Sequence, residues 1–114
     1  MAPFDHARAL AAVDGDTALL KELLVLFRQE VPDVLKQINS AIQAQAPDDL
    51  RLHAHKLKGT LSILGANEAA RTAAALETLA RHNTLGDADV FYEQLVAQVH
   101  QFDRAAAEYE RTLA

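Results

Sequence analysis

Hydrophobic residues recur at intervals of three and four along nearly the whole chain, and no useful length of it alternates as a strand would. Leu20, Leu24, Phe27, Val31, Val34 and Ile38 form one series, and Leu50, Ala54, Leu57, Leu61 and Leu64 a second. Ala69, Ala73, Leu76 and Ala80 form a third, and Leu95, Val99, Phe102, Ala106, Tyr109 and Leu113 a fourth. Each series puts its apolar side chains on one stripe of a helix. The spacing therefore predicts four long amphipathic helices, preceded by a short one over Phe4–Val13. Local chemistry sets their limits. Asp14-Gly15 breaks the short helix, and Asp16 caps a second over about Thr17–Gln45. Pro32 removes one backbone donor inside that helix and predicts a kink near Arg28–Val31. Pro47 suits the first turn of the third helix, where Asp48 and Asp49 also favour the macrodipole. Gly65 suits a left-handed stop after Leu64. Asn67 is placed to cap the fourth helix, about Glu68–Arg81, and Gly86-Asp87 marks a turn before the last, about Ala88–Thr112. Short loops between long helices predict an all-α fold, an antiparallel up-down four-helix bundle with a short extra N-terminal helix, in a single domain over residues 1–114.

Composition narrows the partners and the chemistry. Half of the 114 residues are hydrophobic but only 5% are aromatic, so the expected core is built from leucine, valine, isoleucine and alanine. A net charge of −5 argues against nucleic acid as the main partner, because phosphate binding needs a basic face. The absence of cysteine rules out disulfides and cysteine metal sites and agrees with a cytoplasmic location. The apolar run Leu23–Phe27 is far too short to span a bilayer. A bundle able to close its own core is expected to be a monomer.

The segment Leu50–Asn67 carries the candidate chemistry. On a helix at about 100° per residue, His55 falls well away from the leucine stripe. Gly59 and Ser62 share its outer face, and neither is large enough to shield an imidazole. The chain has sixteen carboxylates, none of them between Asp49 and Glu68, whereas Arg51, Lys56 and Lys58 all lie in that window. An exposed ring among cations suits a group that acquires negative charge, and suits a metal ion poorly. Imidazole is the side chain that is substantially uncharged, and so nucleophilic, near neutral pH.

His55-Lys56-Leu57-Lys58-Gly59, followed by Leu64-Gly65-Ala66, resembles the H-x-L-K-G…G-A signature of histidine-containing phosphotransfer (HPt) domains of bacterial multistep phosphorelays. The resemblance extends over nearly the whole chain, through the Phe4-Asp5 opening, the internal Pro32 and the Ala-Leu-Glu run at Ala75–Glu77. Leu61 departs from it, since such domains more often carry a small residue there; its place on the core stripe implies a packing adjustment. The resemblance implies a cytoplasmic phosphotransfer module in which His55 reversibly accepts a phosphoryl group from a receiver-domain aspartyl phosphate and passes it to another receiver. The positions of the cations around His55 make Lys58 the expected stabiliser of the phosphoryl oxygens, with Gly59, Lys56, Arg51 and Ser62 in support. No cofactor is expected on the domain itself, the Mg2+ coming with the partner receiver.

Other readings compete. The chain lacks a Walker-type glycine loop and any kinase signature, so the phosphoryl group must come from another protein. The donor could instead be the kinase domain of a chemotaxis-type histidine kinase, or the bundle could be a non-catalytic helical adaptor. His53 lies two residues from His55, on a different face, and the pair cannot chelate one ion. It is expected to pack at the bundle edge, whereas His6, His82 and His100 have no evident partners and read as solvated. Ser40 and Ser62 have no placed base or acid.

Overall fold

The computed structural model describes residues 2–113 and contains only helices as regular structure among them: α1 (His6–Ala12), α2 (Thr17–Gln43), α3 (Pro47–Ile63), α4 (Asn67–Arg81) and α5 (Ala88–Arg111), with one 3-10 turn at Leu85–Asp87. At about 1.5 Å per residue, α2 alone accounts for about 40 Å, close to the 44 Å long axis of the molecule. Helix α2 packs on α3, α3 on α4, α4 on α5, and α5 back on α2. The closest association is α3 with α4. Alanines at 69, 70, 73 and 80 of α4 are all buried, and their small side chains allow close approach of neighbouring helices.

The helix ends show why some limits differ from those the sequence predicts. Helix α1 starts at His6 rather than Phe4, because Asp5 is its cap and accepts the Arg8 N–H at 3.1 Å. Phe4 turns into the core instead, edge-on to Phe102 at 5.4 Å and to Tyr109 at 5.5 Å. Asp16 caps α2 as expected, accepting from the Leu19 N–H. That helix runs unbroken through Pro32 but stops at Gln43, two residues early. Gln45 adopts a left-handed φ of 52°, and the Ala46 N–H returns to the Ala41 carbonyl, the closure typical of a helix C-terminus. Gly65, with φ 79°, ends α3 in the same manner as Ala66 N–H bonds to Leu61 O. Asn67 does not cap α4: Ala66 holds that position without a side-chain bond, and Asn67 instead donates to the Asp5 carboxylate.

The core follows the predicted stripes, except that Tyr109 and Leu113 at the end of the last stripe are half-buried and α2 makes one exchange. Leu20, Leu24, Phe27, Val31 and Ile38 are buried on α2, but Leu35 replaces Val34, which is half-buried. All five residues of the α3 stripe are buried, Leu61 completely, so the bundle accommodates the large side chain there. His6 corrects the reading as a partnerless residue, because its ring stacks on Tyr109 at 4.8 Å. No helix among the described residues is long and apolar enough to cross a membrane.

Candidate functional site

Helix α3 is fixed from behind by buried Leu50, Ala54, Leu57 and Leu61 and turns His55 outward, with 63% of its side chain exposed. The expectation of a carboxylate-free surrounding holds along the sequence but not in space. Glu77 reaches across from α4, and its Oε2 lies 2.9 Å from His55 Nδ1. Lys58, one turn along α3, donates to Glu77 Oε1 at 2.7 Å, and Arg81, one turn along α4, donates to Oε2 at 3.1 Å. Three donors thus converge on one carboxylate whose own side chain is only 7% exposed.

That environment determines the state of both partners. The Lys58 hydrogen bond, opposed by burial and aided by the His55 bond, holds the Glu77 carboxyl below its ordinary value of 4.5. Glu77 is therefore ionised at neutral pH and can only accept hydrogen bonds. The proton in the His55–Glu77 bond must then sit on Nδ1, an assignment from the network. In the neutral ring this leaves the Nε2 lone pair unprotonated, on a side chain that faces solvent.

The other sequence-predicted residues occupy different parts of this surface. Gly59 is exposed, and a Cβ there would meet nothing within 4 Å. Ser62 is half-buried, because Arg8 of α1 folds over it and donates from Nε to its carbonyl at 2.8 Å. Arg51 and Lys56 are exposed and form no ion pair among the described residues. His53 is half-buried in a hollow between α2 and α3 lined by Lys36, Gln37, Ser40 and Asp49, far round the helix from His55. No group of three His, Asp or Glu side chains among the described residues is placed to hold a metal ion.

The surface has two characters. Toward α4, His55 is bordered by Lys58 and Arg81. Leu52 and Ile63 are exposed on α3, and a mostly apolar groove of ≈ 300 Å³, lined by Thr60, Ile63 and Leu64 and by Leu23, Leu26, Phe27 and Glu30 of α2, lies toward the C-terminal end of α3. Glu77 and Arg81 were not singled out as site residues from the sequence. The signal was present for Glu77, which lies four residues after Ala73 and three before Ala80, a charge on the apolar stripe of α4.

Comparison with known proteins gives a family for this chain. A family model described as Hpt domain matches residues 22–105, from the first turns of α2 to the last turns of α5. No curated protein and no solved structure matches the chain. The matched stretch contains α3 and α4, most of α2 and α5, and His55, Lys58 and Glu77, and on that ground the chain belongs to the Hpt domain family, whose work is histidine phosphotransfer in two-component signalling.

Proposed function

We propose that His55 is the phosphoryl acceptor and donor of this domain, and that it takes the group from the aspartyl phosphate of one receiver domain and gives it to the aspartate of another. The observation that carries the reading is the ionised Glu77 carboxylate on His55 Nδ1, which orients the ring and leaves Nε2 as the free nucleophile. The Nε2 lone pair attacks phosphorus in line. An N–P bond forms while the P–O bond to the receiver's aspartate breaks, and that carboxylate leaves with the bonding pair. The Nδ1 proton stays in place, and the positive charge gained by the ring is offset by Glu77. Attack by a second receiver's carboxylate reverses these changes.

Phosphoryl transfer of this kind needs mainly positioning and charge stabilisation. Lys58 spends one N–H on Glu77 and keeps two for the phosphoryl oxygens. Gly59 leaves room for the incoming site, and Arg51, Lys56 and the half-buried Ser62 lie at its margin. The Mg2+ comes with the receiver, and the domain works as a cytoplasmic monomer. We take α2–α5 as an up-down antiparallel bundle, since short connectors join consecutive helices that pack together. The apolar flank toward α2 supports a protein rather than a small molecule as phosphoryl donor, because an aspartyl phosphate is delivered by a folded surface.

The test is transfer of radiolabel from a panel of phosphorylated receivers, with Mg2+, to the wild-type domain and to His55→Gln. Acid-labile, base-stable label on the wild type alone is expected. Label persisting on His55→Gln would show that another residue is the acceptor. Label accepted only from a histidine kinase domain would replace the receiver as donor.

A further inference from the structure

We infer that Arg8, on the helix that precedes the family-matched segment, is a specificity-determining contact for an acidic group on the docking receiver. This rests on the receiver reading given above. Arg8 is exposed, yet it is held: Nε donates to the Ser62 carbonyl at 2.8 Å, on the last turn of α3. Its backbone is held as well, since Asp5 caps α1 through the Arg8 N–H. The two terminal nitrogens of the guanidinium make no hydrogen bond or ion pair with the described residues. Anchoring by Nε therefore presents a planar pair of donors that is already ordered, the geometry that matches a carboxylate.

The place of Arg8 makes it reachable. Ser62 is two turns beyond His55 on the same face of α3, about 10 Å along the axis. A standard protein footprint of about 800 Å² per partner centred on His55 extends past that distance. Arg8 shares an open cleft of ≈ 340 Å³ with Lys58, Ser62, Asn67, Ala70 and Arg71. None of the side chains lining it is acidic. Asp5 is committed to the α1 N-terminus and Asn67, and Glu77 to His55, Lys58 and Arg81. In a chain of net charge −5, this rim favours a negative group on the partner. Arg8 lies on α1, outside the segment matched by the family model. A receiver with an acidic residue at the corresponding rim is preferred over one without it.

The experiment measures transfer from phosphorylated receivers to wild type, Arg8→Gln and Arg8→Glu, at low and high salt. Gln removes the charge while keeping an N–H able to reach the Ser62 carbonyl. Labelling of each variant by phosphoramidate, a small donor that needs no docking, runs alongside. At low salt kcat/KM is expected to fall about threefold for Arg8→Gln and about tenfold for Arg8→Glu, through slower association. The three proteins converge at high salt and label equally with phosphoramidate. Equal rates for Arg8→Glu and wild type at low salt overturn the inference. So does a loss that persists at high salt or extends to phosphoramidate, since that is damage to the site itself. If the wild type takes label from phosphoramidate but from no receiver, the receiver reading fails, and this inference with it.

Discussion

Replacing Glu77 with glutamine tests the central contact most directly, because it keeps the shape of the side chain and removes only the charge. The wild-type carboxylate is 7% exposed and accepts from Lys58, His55 and Arg81. Breaking a fully buried pair costs about 3–5 kcal/mol. Here the stranded donors are not fully buried: Lys58 is 33%, Arg81 60% and His55 63% exposed, and water takes over part of each interaction. Discounting for that leaves about 1–2 kcal/mol at neutral pH, or a melting temperature lower by about 4–8 °C. The pH dependence has a definite sign. Glu77 holds its proton less tightly in the folded chain than in the unfolded one, so its contribution is complete above the ordinary value of 4.5. It declines as pH falls below that value and is gone below the depressed folded value. Urea melts of the two proteins from neutral pH downward should therefore differ at neutral pH and converge in acid. Transfer to His55 should slow by about tenfold or more, because an amide can present its NH2 to Nδ1 and favour the wrong tautomer. A stability gap unchanged down to about pH 3 would refute the claim that an ionised, buried Glu77 holds the site together.

Three further outcomes follow from the same geometry. Lys58→Ala should slow transfer while leaving the fold intact by circular dichroism, with stability lowered by about 1 kcal/mol; unchanged transfer kinetics would remove Lys58 from the mechanism. Gly59→Ala places a methyl group in open space within a helix, so thermal melts should show a gain of about 0.5–1 kcal/mol, while transfer from a receiver slows if the partner's backbone uses that space. Gly65→Ala is the opposite case: φ is 79° and the new Cβ would collide with the Asp5 carbonyl, so a loss of about 2–4 kcal/mol is expected in denaturant melts.

Much of the fold was legible because each helix advertises itself by spacing. The α3 stripe, and the α5 stripe from Leu95 to Ala106, point inward as the sequence predicts, and Asp16, Pro47 and Gly65 mark boundaries through side-chain or backbone chemistry that is local. What was less legible depends on partners distant in sequence. Asn67 looks like a cap until Asp5, sixty-two residues earlier, takes its amide. Gln45 gives no sign of a left-handed turn, because its residue type does not favour one. His6 looks solvated because Tyr109 lies at the other end of the chain. The candidate site divides along the same line. His55, Lys58 and Gly59 share one helix, so their relative placement follows from helical geometry. Glu77 comes from the neighbouring helix, and its register against α3 is set by how closely the alanines of α4 allow the helices to approach. A glutamate on an otherwise apolar stripe is the sequence signal that a buried carboxylate has cations waiting for it.

The Asp5 N–H donates to the Gly65 carbonyl at 2.8 Å, and this clasp between α1 and the α3–α4 turn has a consequence for the order of folding. A seven-residue helix is too short to persist in water by itself. Helix α1 can therefore form only after the turn between α3 and α4 exists, when Asp5 N–H finds the Gly65 carbonyl and Phe4 finds Phe102. Closing a loop of about sixty residues for so few contacts makes this the last event in assembly and the first to reverse. Amide hydrogens of α1 should thus exchange well before those of α3, and a docked partner that grips Arg8 should slow them, so that exchange in a helix remote from the histidine reports on occupancy of the histidine's face.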